Sequence, residues 1–225
     1  MALLSGVLMI VSLAFPVWRI ILTAPQYAGR KLYVRLYAYP RITGDVREVS
    51  GLNKYVGFHF PDPVYLEPNY EVAETAYALP EWSIGPMFFV VLAIGAFAIS
   101  LSSDATIARR LKLYFAGVIA AFVGLLAWAQ VRLYQVGHNL DESAPMAGVE
   151  GFTPPVLGGY QIANISGNAW LDVGGYLLAV AVILLGTGVV FRDSEATIRE
   201  LPEELPRVFK KGRDRIVNRI ATRST

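Results

Sequence analysis

The chain has two histidines, His59 and His138, and with Asp141, Glu142 and Met146 they offer imidazole, carboxylate and thioether donors to a metal ion. His59, His138 and Asp141 are the candidate ligands, although their spacing matches no metal-binding pattern. The 225 residues include no cysteine, which excludes disulfides, thiolate zinc sites, iron–sulfur clusters and c-type haem attachment. A phosphate loop, a G-x-S-x-G elbow, a zincin motif and paired acids on one helical face are all missing. With no nucleophile and base pair to build on, the chain reads as non-catalytic. The basic C-terminal tail carries no base-reading motif, so nucleic acid is not an expected partner.

The elements that must position these groups are mostly apolar. Residues 2–24, 84–103, 113–134 and 173–191 form four runs, each close to the ~20 residues that a helix needs to cross a ~30 Å hydrocarbon layer. A hydrophobic share of 54% against 17% charged residues lies on the membrane side of soluble averages. The expected fold is an all-α membrane protein with four transmembrane helices, a small extracytoplasmic β-containing cap and a cytoplasmic amphipathic tail. The first run lacks a basic leader and a clear cleavage site, and it carries Pro16, Trp18 and Arg19, so it reads as a retained span. Neither histidine falls inside a run, which argues against haem, chlorophyll or copper held at mid-membrane. Arg19 and Arg132 lie near run ends, where they can snorkel or pair with outer acids. Trp18, Trp82, Trp128 and Trp170 also fall near run ends and read as interfacial anchors.

Charge sets the expected topology. Arg109, Arg110 and Lys112 place the 104–112 connection in the cytoplasm, together with the basic tail 192–225, while 135–172 holds no Lys or Arg and belongs outside. Both termini are then cytoplasmic, with Arg30 and Lys31 in the outer segment 25–83 the one discordant feature. Within that segment, alternation over 31–38 predicts a strand, with 46–49 and 55–60 as partners and 67–77 as a short helix. The segment 135–172 reads as an ordered loop, and 203–222 as an amphipathic helix on the inner membrane face.

Several stretches carry a family likeness. Phe15-Pro16-Val17-Trp18-Arg19-Ile20, Ala24-Pro25-Gln26-Tyr27, Gly51-Leu52-Asn53-Lys54-Tyr55-Val56-Gly57, Gly137-His138-Asn139-Leu140-Asp141, Phe152-Thr153-Pro154-Pro155 and Gly174-Gly175-Tyr176 resemble a family of small bacterial polytopic membrane proteins. Genes of that family often accompany those for maturation of nitrous oxide reductase, a periplasmic copper enzyme. The chain departs from the family pattern at Lys54, where a histidine is usual, and at Phe58, where a methionine is usual. Neither replacement can serve a soft metal.

The expected function is that of a non-catalytic accessory subunit stabilising a larger energy-converting membrane complex, of electron-transfer or photosynthetic type. The alternative, implied by the resemblance, is an accessory factor in copper handling or maturation of a periplasmic enzyme, with His59, His138 and Asp141 as ligands. No cofactor is expected of this chain alone, which leaves lipid or pigment at the bundle surface. The expected partners are other membrane subunits and the lipid bilayer, and the expected location is the bacterial cytoplasmic membrane.

Overall fold

The first apolar run divides at Pro16. In this computed structural model, which describes residues 1–66, 76–102, 104–145 and 151–191, helix α1 covers Ala2–Ser12 and strand β1 covers Trp18–Thr23. Proline lacks an amide hydrogen and disfavours helical geometry in the residue before it, so a helix cannot run through this point. Beyond it the β-branched Val17, Ile20, Ile21 and Thr23 suit a pleated strand. Amides of Leu13, Ala14 and Phe15 bond to the carbonyls of Ile10, Val11 and Ser12, tightening the last turn. The expected all-α fold with four transmembrane helices is therefore corrected. The chain combines five helices with a six-stranded mixed sheet among its described residues, and α1, at 11 residues, is too short to cross a ~30 Å layer unaided.

The remaining strands are β2 (Lys31–Leu36), β3 (Arg41–Gly44), β4 (Phe60–Asp62), β5 (Tyr65–Leu66), β6 (Ala76–Ala78), β7 (Gly158–Ile162) and β8 (Ile165–Leu171). The large sheet has the order β5-β3-β2-β1-β8-β7 and is antiparallel except where β3 meets β5, while β4 and β6 form a separate parallel pair. Register sets Ile20 opposite Val34 and Ala169, so one face of the sheet collects Leu22, Val34, Ile165 and Ala169. Helix α2 (Val46–Val56) covers part of that face with Val46, Val49, Leu52 and Val56, all buried. Their spacing of three and four residues is helical, which corrects the strand expected at 46–49. Gly57, at φ +85, caps α2 by donating to the Asn53 carbonyl. The expected loop 135–172 also needs correction, since β7 and β8 form a hairpin within it. Of the helix expected at 67–77, residues 67–75 lie outside the described ones and Ala76 and Tyr77 belong to β6. The tail 192–225, with its expected amphipathic helix, also lies outside them.

Helices α3 (Gly85–Ser100), α4 (Asp104–Gly137) and α5 (Val173–Phe191) complete the bundle, with a 3-10 turn at Pro80–Ile84 leading into α3. Among the described residues three helices are long and apolar enough to cross a membrane: Pro80–Ser100, Arg109–Gly137 and Val173–Phe191. Residues 104–112, expected as a loop, are instead the first turns of α4. Helix α1 packs between α3 and α5 through Ser5, Gly6, Met9 and Ser12, and the Ser5 hydroxyl donates to the Ala181 carbonyl at 2.9 Å. It runs antiparallel to α5, for Gly188 neighbours Met1 while a Cβ on Gly174 would meet the carbonyl oxygens of Ser12, Phe15 and Pro16 at 2.8–3.0 Å. All helix ends joined to the sheet lie at one end of the bundle.

Candidate functional site

Beside α2, which packs on it, the inner face of the sheet stands off from helices α3 and α4. Between them lies a cavity of 420 Å³ whose wall is almost wholly apolar. The sheet contributes Trp18, Ile20, Val34, Leu36 and Ala169, α2 contributes Val49, Leu52 and Val56, and α3 contributes Gly85, Phe88 and Phe89. From α4 come Leu125, Trp128, Ala129, Arg132, Leu133 and Val136, spaced three and four apart and hence on one helical face. Leu125 and Val136 stand about 16 Å apart along the axis at ~1.5 Å per residue, so the cavity is elongated.

The polar groups in its wall fall into two sets. Arg132 is fully engaged: its Nε donates to Glu81 at 2.5 Å, its other nitrogens donate to Gln135 and the Ala78 carbonyl, and its guanidinium lies 5.6 Å from the Tyr77 ring and 5.7 Å from that of Trp128. It thereby fastens α4 to the segment 77–81. Trp82 is also engaged, donating from Nε1 to the Tyr37 carbonyl at 3.0 Å. By contrast, Trp18 Nε1 is buried without a hydrogen-bond partner, and no partner for the Tyr160 hydroxyl occurs among the described residues. Burial pushes the Tyr160 hydroxyl pKa up to about 12, so it stays a protonated donor. A buried donor with no acceptor costs about 1–3 kcal/mol, which makes Trp18 Nε1 a standing preference for an occupant that brings an acceptor.

The predicted metal ligands are not gathered. Among the described residues no group of three or more His, Cys, Asp or Glu side chains comes together to hold a metal ion. His59 lines the cavity and His138 stacks on Tyr134, with Nδ1 2.9 Å from the Tyr134 carbonyl oxygen. Asp141 accepts from the amide and hydroxyl of Ser143, which together with nearby His59 hold its carboxyl below the usual range. Met146 lies outside the described residues. Of the expected anchors, Trp18, Trp82, Trp128 and Arg132 line the cavity, while Arg19 and Trp170 are adjacent in register on β1 and β8. Trp170 Nε1 donates to the Tyr176 hydroxyl at 2.9 Å. Arg19 also stands opposite Arg35, and Asp172 pairs with Arg35 at 3.5 Å.

Three of the stretches quoted for the family likeness meet at one rim of the cavity. The Asp141 amide donates to the Gly57 carbonyl at 2.9 Å, the Phe152 amide donates to the Gly137 carbonyl at 2.9 Å, and the Phe58 and Phe152 rings lie 5.8 Å apart. Phe58 therefore serves as an apolar wall. Tyr160 and Ala129 escaped the sequence reading because nothing local marks them. The α4 face was visible only as a three-and-four spacing inside a run that is apolar all round.

Fold and site together define a helical bundle capped by a mixed sheet, with an apolar cavity between them. No family model, curated protein or solved structure matches this chain.

Proposed function

We propose that the chain is a multi-pass protein of the bacterial cytoplasmic membrane with a non-catalytic task, the binding of an apolar molecule between its sheet and its helices. The cavity carries this proposal: at 420 Å³ it falls in the ~300–1,000 Å³ range of small-molecule sites, which combine apolar walls with a few fixed polar groups. Helices α3, α4 and α5 cross the bilayer, and α1 packs among them as a short fourth helix. Arg109, Arg110 and Lys112 assign the start of α4 to the cytoplasm, so the sheet lies on the outer side. After detergent purification, organic extraction is expected to release an apolar molecule in near-stoichiometric amount, read by mass spectrometry. Ala129→Phe, which fills part of the cavity from α4, is expected to release about ten-fold less, because the new ring takes the space the ligand needs. Equal release from both proteins overturns the proposal.

One further observation favours a role as accessory subunit of a larger energy-converting complex. Residues 123–128 of α4 are exposed on every side, a surface that a partner helix can cover through Gly124. Purification in mild detergent with identification of co-purifying chains tests this role. A stoichiometric membrane partner supports it, and a lone, homogeneous chain counts against it.

A further inference from the structure

The structure assigns the cavity an entrance and a class of occupant: a bilayer lipid with a long apolar chain and a carbonyl oxygen at its base, which enters sideways past α4. This inference rests on the ligand-binding role proposed above and adds where the ligand comes from. A helix packed in a bundle hides a stripe of its surface, yet Val123, Leu125, Leu126 and Trp128 are 60%, 39%, 44% and 52% exposed, and Gly124 and Ala127 between them are also exposed. One and a half turns of α4 are therefore open on every side, held here mainly by Trp128, which bonds to the Glu81 side chain and lies beside Arg132. Below this stretch α4 is fastened: the Tyr114 hydroxyl donates to the Leu92 carbonyl, and Phe122 packs on the rings of Phe88 and Phe89. Above it, Val136 and Gly137 are buried against the 152–154 loop.

Leu125 and Trp128 belong both to this exposed stretch and to the cavity wall, so the two spaces join there. Gly124 stands one turn below Trp128, and a Cβ added to it would meet nothing within 4 Å. In the proposed orientation this opening faces hydrocarbon, not water, because it lies well inside the long apolar helix Arg109–Gly137. The chemistry of the wall agrees. Arg132 and Glu81 are paired with each other, leaving neither charge free for an ionic head, while Trp18 Nε1 is a buried donor without an acceptor and Tyr160 lines the same wall. An acyl ester and an isoprenoid quinone share this chemistry, an apolar chain ending in a carbonyl.

The test uses the full chain reconstituted in vesicles, with Trp82, Trp128 and Trp170 replaced by phenylalanine so that Trp18 is the single fluorophore. Vesicles contain phospholipid brominated along its acyl chains, or unbrominated phospholipid doped with an isoprenoid quinone. Trp18 emission is expected to fall about two-fold in one of the two, since a ligand in such a site is enclosed on most sides. Quenching by brominated chains assigns an acyl lipid, and quenching by quinone alone assigns a quinone. Adding Gly124→Phe at the opening, or Ala129→Phe in the cavity, is expected to restore the emission. If Trp18 stays bright in both vesicles while a companion protein keeping only Trp128 is quenched, the lateral route is overturned. An apolar molecule still recovered by extraction would then leave the binding role standing. Should the triple replacement fail to fold, Ala129→Cys in the otherwise cysteine-free chain gives a second readout. Labelling by a bilayer-dissolved maleimide but not by a charged, water-borne one supports the inference, and the reverse pattern overturns it.

Discussion

The packing of α1 against α3 and α5 contrasts with that of the outer half of α4. In the first region Met9, Ala93, Ala96, Ala181 and Leu185 are fully buried, and small residues bring backbones into contact. In the second, an apolar helix stands away from its neighbours beside a cavity. Both regions are built from the same kinds of side chain, small ones included, so composition does not separate them; what does is where the small residues face, Gly6 and Gly174 against a neighbouring backbone and Gly124 against nothing. Density in one region holds the fold while looseness in the other leaves room for a ligand.

Substitutions can break this contrast or sharpen it. The largest effect is expected for Gly174→Leu, because three backbone carbonyl oxygens surround the new Cβ at 2.8–3.0 Å and none can yield as a side chain would. A loss of about 3 kcal/mol or more is expected, seen as loss of monodisperse protein in size-exclusion chromatography. Next comes Met9→Ala, which leaves a void at a fully buried position and costs about 2–3 kcal/mol, measured by thermal unfolding in detergent. Ala129→Phe is its counterpart: it adds bulk at the loose site and is expected to leave stability within about 1 kcal/mol of the native chain. If it destabilises as much as Met9→Ala, the contrast disappears. Ser5→Ala removes the bond to the Ala181 carbonyl and is expected to cost about 0.6 kcal/mol, a typical value for a hydrogen bond between helices in lipid.

The smallest effect lies in the acid range, at the rim of the cavity. The Ser143 hydroxyl and amide hold the Asp141 carboxyl below its ordinary value. A folded-state pKa that is depressed contributes stability fully present above the unfolded value of ~3.9, and this is lost as pH falls through the folded value. Ser143→Ala is expected to move the Asp141 pKa upward and to shrink the acid-range change, followed by carbon-13 NMR titration of the carboxyl group.

Helices α3, α4 and α5 were legible in the sequence because a long apolar run needs no tertiary partner to be read. Strand β2 was legible from the alternation of Leu32, Val34 and Leu36 with Lys31, Tyr33 and Arg35. Helix α2 was not, for Val46 and Val49 favour strands locally and only the sheet above them shows why a three-and-four spacing wins. Nor was β8, whose inward residues include Gly167 and Ala169, too small to mark an alternating face. The run 2–24 misled because periodicity does not distinguish an apolar strand from an apolar helix, and Pro16 was outweighed by length.

From composition and order alone, this chain supplies helices long and apolar enough to cross a membrane and, having no cysteine, forgoes every site that needs a thiolate. Tertiary structure decided that β1 joins β8, more than a hundred residues away, and that α1 threads between α3 and α5. It also decided that Trp18, Tyr160, Ala129 and Leu125 face one shared space. A void belongs to no segment of the chain: it exists only where surfaces from distant segments fail to close on one another, so no local pattern can announce it.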